Sequence, residues 1–219
     1  MAVPPVMENA MEARVGRRGS VIVISAPSGA GKTTLVKRLL ASFPDLAFSV
    51  SYTTRGQRPE EVEGRDYFFV SRPRFEGMVE RGEFVEWAEV VGQLYGTARP
   101  VIEGAQAAGR DILLDIDVQG HAQVKQQLPG SVSVFVLPPS FEELERRLRC
   151  RGLDSEPDIQ RRLQAARREV PRWPEYDYLI VNDLLAVATQ ELVAVVTAAR
   201  LCRATQEVRA REIEKTFEE

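Results

Sequence analysis

Short apolar runs alternate along this 219-residue chain with segments whose apolar positions recur every three or four residues. The first pattern predicts buried strands and the second amphipathic helices. Residues 21–25 (VIVIS), 111–117 (DILLDID), 131–137 (SVSVFVL) and 178–181 (YLIV) read as four buried strands. Residues 34–40, 100–108, 118–128, 140–150 and 158–170 read as helices, and helix resumes from 191 to the C-terminus with rising charge. Ser140, with Glu143 three residues on, reads as a capping box. This alternation predicts an α/β fold, a parallel sheet covered on both faces. Residues 51–97 break it. They follow a weak strand at 47–52 and hold a polar loop (53–64), a strand (66–70), a short helix (74–81), an aromatic strand (83–91) and a turn around Tyr95 bracketed by Gly92 and Gly96. They read as a small, mostly β insertion.

The first strand runs into Ala26-Pro27-Ser28-Gly29-Ala30-Gly31-Lys32-Thr33-Thr34 and then a helix, which is the context of a phosphate-binding loop. A polyphosphate needs many N–H donors at short range. Gly29 and Gly31 let the backbone approach and allow positive φ. The helix N-terminus favours an anion, Lys32 adds a cation, and the Thr33 hydroxyl suits Mg²⁺. Ala26 stands where the G-x-x-x-x-G-K-[ST] pattern has glycine.

Net charge is −3, which excludes a protein built as a whole to bind nucleic acid, so a basic site must be a local patch. Eight arginines gather in 146–168 (Arg146, Arg147, Arg149, Arg151, Arg161, Arg162, Arg167, Arg168) against Asp154, Glu156 and Asp158. Such a cluster suits a polyphosphate, while any one of these arginines also fits a solvated helix face. Cys150 and Cys202 are far apart without metal-ligand spacing, as in a reducing compartment, so a cytoplasmic protein is expected. No apolar run reaches membrane-spanning length. Residues 1–19 lack a signal-peptide core and read as a disordered tail. His121, the only histidine, reads as a packing or surface residue without a catalytic role. The helix from Glu191 could pack on the core or on a second copy, so a homo-oligomer stays open.

The stretches SAPSGAGKTTL, SVSYTTRGQRPEEVEGRDYFFV, FVEWAEVVGQLYGT, ILLDIDVQG, LPPSFEELERRLRCRG and YDYLIVND, in this order over roughly residues 20–205, resemble guanylate kinase. Bacterial members often carry alanine at the place of Ala26. The resemblance implies a P-loop NTPase-type three-layer fold: a core of 20–50, 98–145 and 169–219, an insertion of 51–97 for the nucleoside monophosphate, and a mobile helical lid at 146–168. It implies Mg²⁺-dependent transfer from ATP to GMP, and to dGMP, with small-molecule substrates and no nucleic acid or membrane partner. ATP would lie on residues 26–34 and near Asn182, with Mg²⁺ at Thr33 and, through water, Asp115. Ser51, Arg55, Arg58, Tyr67, Glu86, Tyr95, Thr97 and Asp117 would hold GMP, its phosphate on the two arginines and two tyrosines. Lys32, Arg55, Arg147, Arg151 and Arg162 would serve catalysis. Chemistry agrees, since two guanidinium forks and two phenols suit a dianionic phosphate. A buried carboxylate at Glu86 would accept both N1–H and the N2 amine of guanine, where adenine offers an acceptor. From spacing alone, a solvated loop and a solvent-facing Glu86 fit as well. The alternatives are a non-catalytic guanylate-kinase-like interaction module, disfavoured by the intact Gly31-Lys32-Thr33 and arginine cluster, and a kinase for another nucleoside monophosphate.

Overall fold

The computed structural model describes residues 17–90, 92–150 and 155–218. In chain order the elements are β1 (Val21–Ser25), α1 (Lys32–Ser42), β2 (Ala47–Phe48), β3 (Tyr52–Thr53), β4 (Phe68–Phe69), α2 (Arg72–Glu80), β5 (Phe84–Val90), β6 (Gln93–Ala98), α3 (Arg99–Ala107), β7 (Ile112–Asp115), α4 (Val118–Gln127), β8 (Val132–Leu137), α5 (Phe141–Cys150), α6 (Glu156–Glu169), a 3-10 segment (Val170–Glu175), β9 (Tyr178–Val181), α7 (Leu185–Leu201) and α8 (Arg203–Lys215). Strands β2-β7-β1-β8-β9 form a parallel sheet in that order.

Strand alternation sorts β1 onto two cores. Ile22 and Ile24 pack with Leu35, Val36 and Leu39 of α1 and Leu192 and Val196 of α7. Val21 and Val23 pack on the other face with Ile102 and Ala105 of α3 and Val124 of α4. Both faces are apolar because both are covered by helices. Among the described residues no single helix is long and apolar enough to cross a membrane, although α7 and α8 together, as a bent pair, meet that length and composition.

A second sheet, β4-β3-β6-β5, carries its own cluster of Phe75, Met78, Phe84 and Leu94. It is joined to the first through β5, whose Val85 belongs to the core cluster under α3. Helices α5 and α6 share a third cluster, Leu144 and Leu148 against Ile159, Leu163 and Ala166. Arg167 stacks on Phe141 to close that hairpin.

Several expectations are corrected. The strand expected at 47–52 is two short pieces in different sheets, β2 beside β7 and β3 beside β6, so the chain leaves the core between them. The turn expected around Tyr95 is strand β6, with Tyr95 and Gly96 inside it. A Cβ on Gly96 would sit 3.0 Å from the Phe75 and Phe84 rings, so this glycine makes room for packing and bends nothing. The run 111–117 ends as strand at Asp115, and Asp117 caps α4. Helices α2, α3 and α6 begin one or two residues before the expected starts, because Pro73, Pro100 and Pro157 lie inside the first turn, where proline lacks no hydrogen bond that the helix would make. The expected capping box is half formed: Glu143 N–H donates to Ser140 Oγ at 3.1 Å, but the Glu143 carboxylate binds Arg146 and Arg147. Strand β9 is an edge strand with Tyr178, Leu179 and Val181 exposed, not a buried one. The final helix starts at Leu185, before Glu191, and breaks at Cys202. Residues 17–19, expected in a disordered tail, are held. Gly19 exchanges hydrogen bonds with Gln106, and Arg17 pairs with buried Asp111.

Candidate functional site

The loop between β1 and α1 sets the centre. Gly29 and Gly31 have φ of 97° and 90°, in the left-handed region, and Gly31 caps α1 with no side-chain hydrogen bond. The first N–H groups of α1 are therefore open to an anion. A Cβ on Gly31 would lie 2.3 Å from Asn182 Nδ2, and one on Gly29 would meet Leu144 and Leu148 of α5 at about 3 Å. So the loop is gripped on two sides. Buried Asn182 donates Nδ2–H to the Ala30 carbonyl at 2.7 Å. Its side chain thus faces the loop. Lys32 Nζ pairs with Asp115 and donates to the Ile116 carbonyl at 3.0 Å.

Two cavities meet here. The smaller, about 310 Å³, is lined by Ser51, Tyr67, Glu86, Tyr95 and Asp115 among others. The wider, about 880 Å³, runs between residues 26–29, Arg58 and the inner side of α6, including Arg162, Arg168 and Glu169. Lys32, Thr33, Tyr67, Val90 and Asp117 line both. Asp117 stands at the junction because its side chain caps α4, accepting from Gln119 N–H at 3.0 Å and Gly120 N–H at 2.8 Å.

At the floor of the smaller cavity Glu86 is only 4% exposed and accepts Thr97 Oγ1–H at 2.5 Å. Burial pushes its carboxyl up to about 7, with the Asp117 charge adding and the Thr97 hydroxyl opposing. An irregularity in the β5–β6 register between Phe84 and Glu86 allows Val85 and Glu86 both to be buried. Alternation along EFVEWAEV does not carry that information, so sequence reasoning left Glu86 open.

Over the rim, Arg55 is held by Glu61 at 2.6 Å and by the Gly56 carbonyl at 2.8 Å, with its guanidinium carbon 5.3 Å from the Tyr67 ring centre. The second Glu61 oxygen accepts Arg58 N–H at 2.9 Å. Tyr67 and Tyr95 meet edge-on at 5.9 Å. Glu61 was missed by sequence reasoning, because the loop 53–64 carries Glu60, Glu61 and Glu63 beside Arg55 and Arg58 and spacing alone does not say which acid turns to the arginines.

The arginine cluster divides. Arg146 and Arg161 pair with carboxylates of their own helices, and Arg149 pairs with Glu145 of its own helix and with Glu156 at the start of α6. Arg147 binds Glu143 and the Asn182 carbonyl, and Arg162 reaches Ser28 Oγ across the wider cavity at 2.5 Å. Arg151 lies outside the described residues. Glu169 and Arg172, also lining the wider cavity, fall just past the expected lid boundary. His121 is buried and stacked on Tyr176 at 3.8 Å, a packing position.

Comparison with known proteins gives one consistent result. The family model described as guanylate kinase matches residues 18–199. The chain is 52% identical over 187 residues to a guanylate kinase of Geobacter metallireducens, covering 85% of this chain and 92% of that one. It is 53% identical over 191 residues to one of Aromatoleum aromaticum, covering 87% and 94%. Among solved structures, guanylate kinase from Anaplasma phagocytophilum superposes with a TM-score of 0.70 at 33% identity, covering 86% of this chain and 90% of that one.

Proposed function

The chain belongs to the guanylate kinase family, and we infer that it transfers the γ-phosphoryl group of ATP to GMP, giving ADP and GDP, with ATP in the wider cavity and GMP in the smaller. The observation that carries this reading is the junction. Lys32, Thr33 and Asp117 line both cavities, so a donor phosphate on the loop and an acceptor phosphate below it would meet beside one ammonium. The smaller cavity is also within the size range of small-molecule sites, roughly 300–1,000 Å³.

The reaction needs positioning and charge neutralisation more than proton transfer, because a phosphate monoester is largely ionised at neutral pH. Loop N–H groups and Lys32 hold the donor phosphates, Lys32 leaving Asp115 to do so. Arg55, Arg58, Tyr67 and Tyr95 hold the acceptor phosphate, with Glu61 keeping Arg55 in place. Glu86, Thr97, Ser51 and Asp117 read guanine. Arg147, Arg151 and Arg162 close on the transferring group, carried by the α5–α6 hairpin as a lid. Asn182 serves the ATP site by holding the loop. The separate hydrophobic clusters support a division into core, insertion and lid. Mg²⁺ would be carried mostly by substrate phosphates and water. Thr33 would supply its hydroxyl and Asp115 would hold a bound water. The ion supplies charge neutralisation at the phosphates. Both cysteines are free thiols, which suits a reducing, cytoplasmic setting.

The test is ADP release with Mg·ATP and GMP, dGMP, AMP, CMP or UMP offered separately. Turnover is expected with GMP and dGMP alone. Lys32→Met is expected to lower kcat by at least a hundredfold while GMP still binds. A preference for another monophosphate would overturn the acceptor assignment, and near-normal turnover of Lys32→Met would overturn the loop's role.

A further inference from the structure

Besides its own strand and Thr97 of β6, the helix that Glu86 faces helps to place it. Gly120 lies in the first turn of α4, where φ is not positive and glycine is unfavourable to the helix by about 1 kcal/mol relative to alanine. The backbone does not require glycine there, but the space does. A Cβ at Gly120 would lie 2.3 Å from Glu86 Oε2 and 3.0 Å from its Cδ. One turn on, Gln123 uses its side-chain amide as a peptide group. Its Oε1 accepts Trp87 N–H at 3.2 Å, and its Nε2–H donates to the Trp87 carbonyl at 2.7 Å. Strand β5 is at the edge of its sheet, so Gln123 substitutes for a neighbouring strand at the residue next to Glu86. Space at Gly120 and a two-point clamp at Gln123, both from α4, fix where the carboxylate stands.

We propose that Gly120 and Gln123 are positioning residues for guanine selectivity, acting through Glu86. This rests on the reading of Glu86 as the guanine acceptor. Guanine offers the carboxylate two donors, N1–H and the N2 amine. Hypoxanthine keeps N1–H and lacks the amine. A correctly placed Glu86 separates GMP from inosine monophosphate, and a displaced one does not.

The experiment measures kcat and KM for GMP and for inosine monophosphate, and KM for ATP, in the full chain and in Gly120→Ala, Gln123→Ala, Gln123→Glu and Glu86→Gln. Gln123→Ala and Gly120→Ala are expected to lower the GMP/inosine monophosphate ratio of kcat/KM by tenfold or more. The loss should fall mainly on KM for GMP, with KM for ATP within twofold of the parent. Gln123→Glu keeps the acceptor for Trp87 N–H and loses the donor, so its ratio should be intermediate. Gln123 is partly exposed and carries the test should Gly120→Ala fail to fold. A parental ratio in Gln123→Ala beside a collapsed ratio in Glu86→Gln overturns the positioning role. A parental ratio in Glu86→Gln itself overturns the guanine reading beneath it. Equal losses toward ATP and GMP also overturn the proposal, as a general loss of fold.

Discussion

On the proposed reading, Glu86 is a single buried acid that ties stability to selectivity. Its carboxyl titrates near 7, first because it is buried, then because Asp117 is close, against the Thr97 hydrogen bond. An unfolded glutamate titrates near 4.5. The folded free protein therefore prefers the protonated form, and stability falls as pH rises from 4.5 toward 7. At about 1.4 kcal/mol per pKa unit the loss is on the order of 3 kcal/mol. If Glu86 accepts from guanine as proposed, the two donors favour the ionised form, and substrate recovers part of it. KM for GMP is thus expected to rise as pH falls below 7, by up to about tenfold per unit, while KM for ATP changes little. Glu86→Gln should raise KM for GMP and flatten that dependence. Parallel KM profiles for GMP in parent and variant from pH 5.5 to 8.5 would sink the assignment. At this scale the sequence was legible where chemistry fixes spacing. The loop from Ala26 to Thr34 needs no fold to be recognised, because N–H groups, ammonium and hydroxyl must follow one another along a single turn. Burial of Glu86 depends on a strand irregularity and a glycine in another element, and no local pattern records either.

On the proposed reading, helix α4 is the element on which guanine recognition and core stability meet. Asp117 caps it and also lines both cavities, so an alanine there removes two things at once. Serine is as good a cap but lacks the second acceptor oxygen. Asp117→Ala is expected to lose about 1 kcal/mol, a fall of roughly 2–4 °C in Tm, together with affinity for GMP. Asp117→Ser should restore Tm and leave KM for GMP raised. Restoration of both by serine would show that Asp117 acts on GMP only by starting the helix. Elements differed in legibility for related reasons. Strands β1, β7 and β8 were readable because burial on both faces gives continuous apolar runs. Strand β6 was read as a turn because Gly92 and Gly96 look like punctuation, yet Gly96 only makes room for Phe75 and Phe84. β2 and β3 were fused because two-residue pieces carry no period of their own.

Across the whole molecule, the end of the sheet away from the phosphate loop is closed by charge. Asp111, fully buried before β7, takes Arg17 at 2.6 Å, Arg200 at 2.7 Å and Ser20 N–H at 2.9 Å. Arg200 also reaches Asp45 at 3.0 Å and stacks on Phe43. Residues from the start of the described chain and from α7 thus share one acid, and Arg200 ties it to the turn after α1. Length and charge gave no sign of this, because the partners are separated by some ninety residues on either side and only the fold brings them together. Burial pushes the Asp111 carboxyl up, but Arg17, the Ser20 N–H and Arg200 outweigh it and hold the group below its usual range. A depressed acid stabilises above its unfolded pKa and loses that contribution as pH falls through the folded value. Arg17→Ala leaves the carboxylate buried with one cation fewer. The cost is about 3 kcal/mol, the low end for a broken buried pair because Arg200 remains, or roughly 6–12 °C in Tm. Activity at 25 °C should be unchanged, since the phosphate loop lies at the other end of β1. The deficit should also shrink at low pH, but only as pH falls through the depressed folded value of Asp111, below the ordinary carboxylate range. Thermal melts in steps from pH 7 down to pH 2 decide it. A gap that narrows toward pH 2 assigns the loss to charge, and a gap of constant size assigns it to the packing of the Arg17 side chain alone.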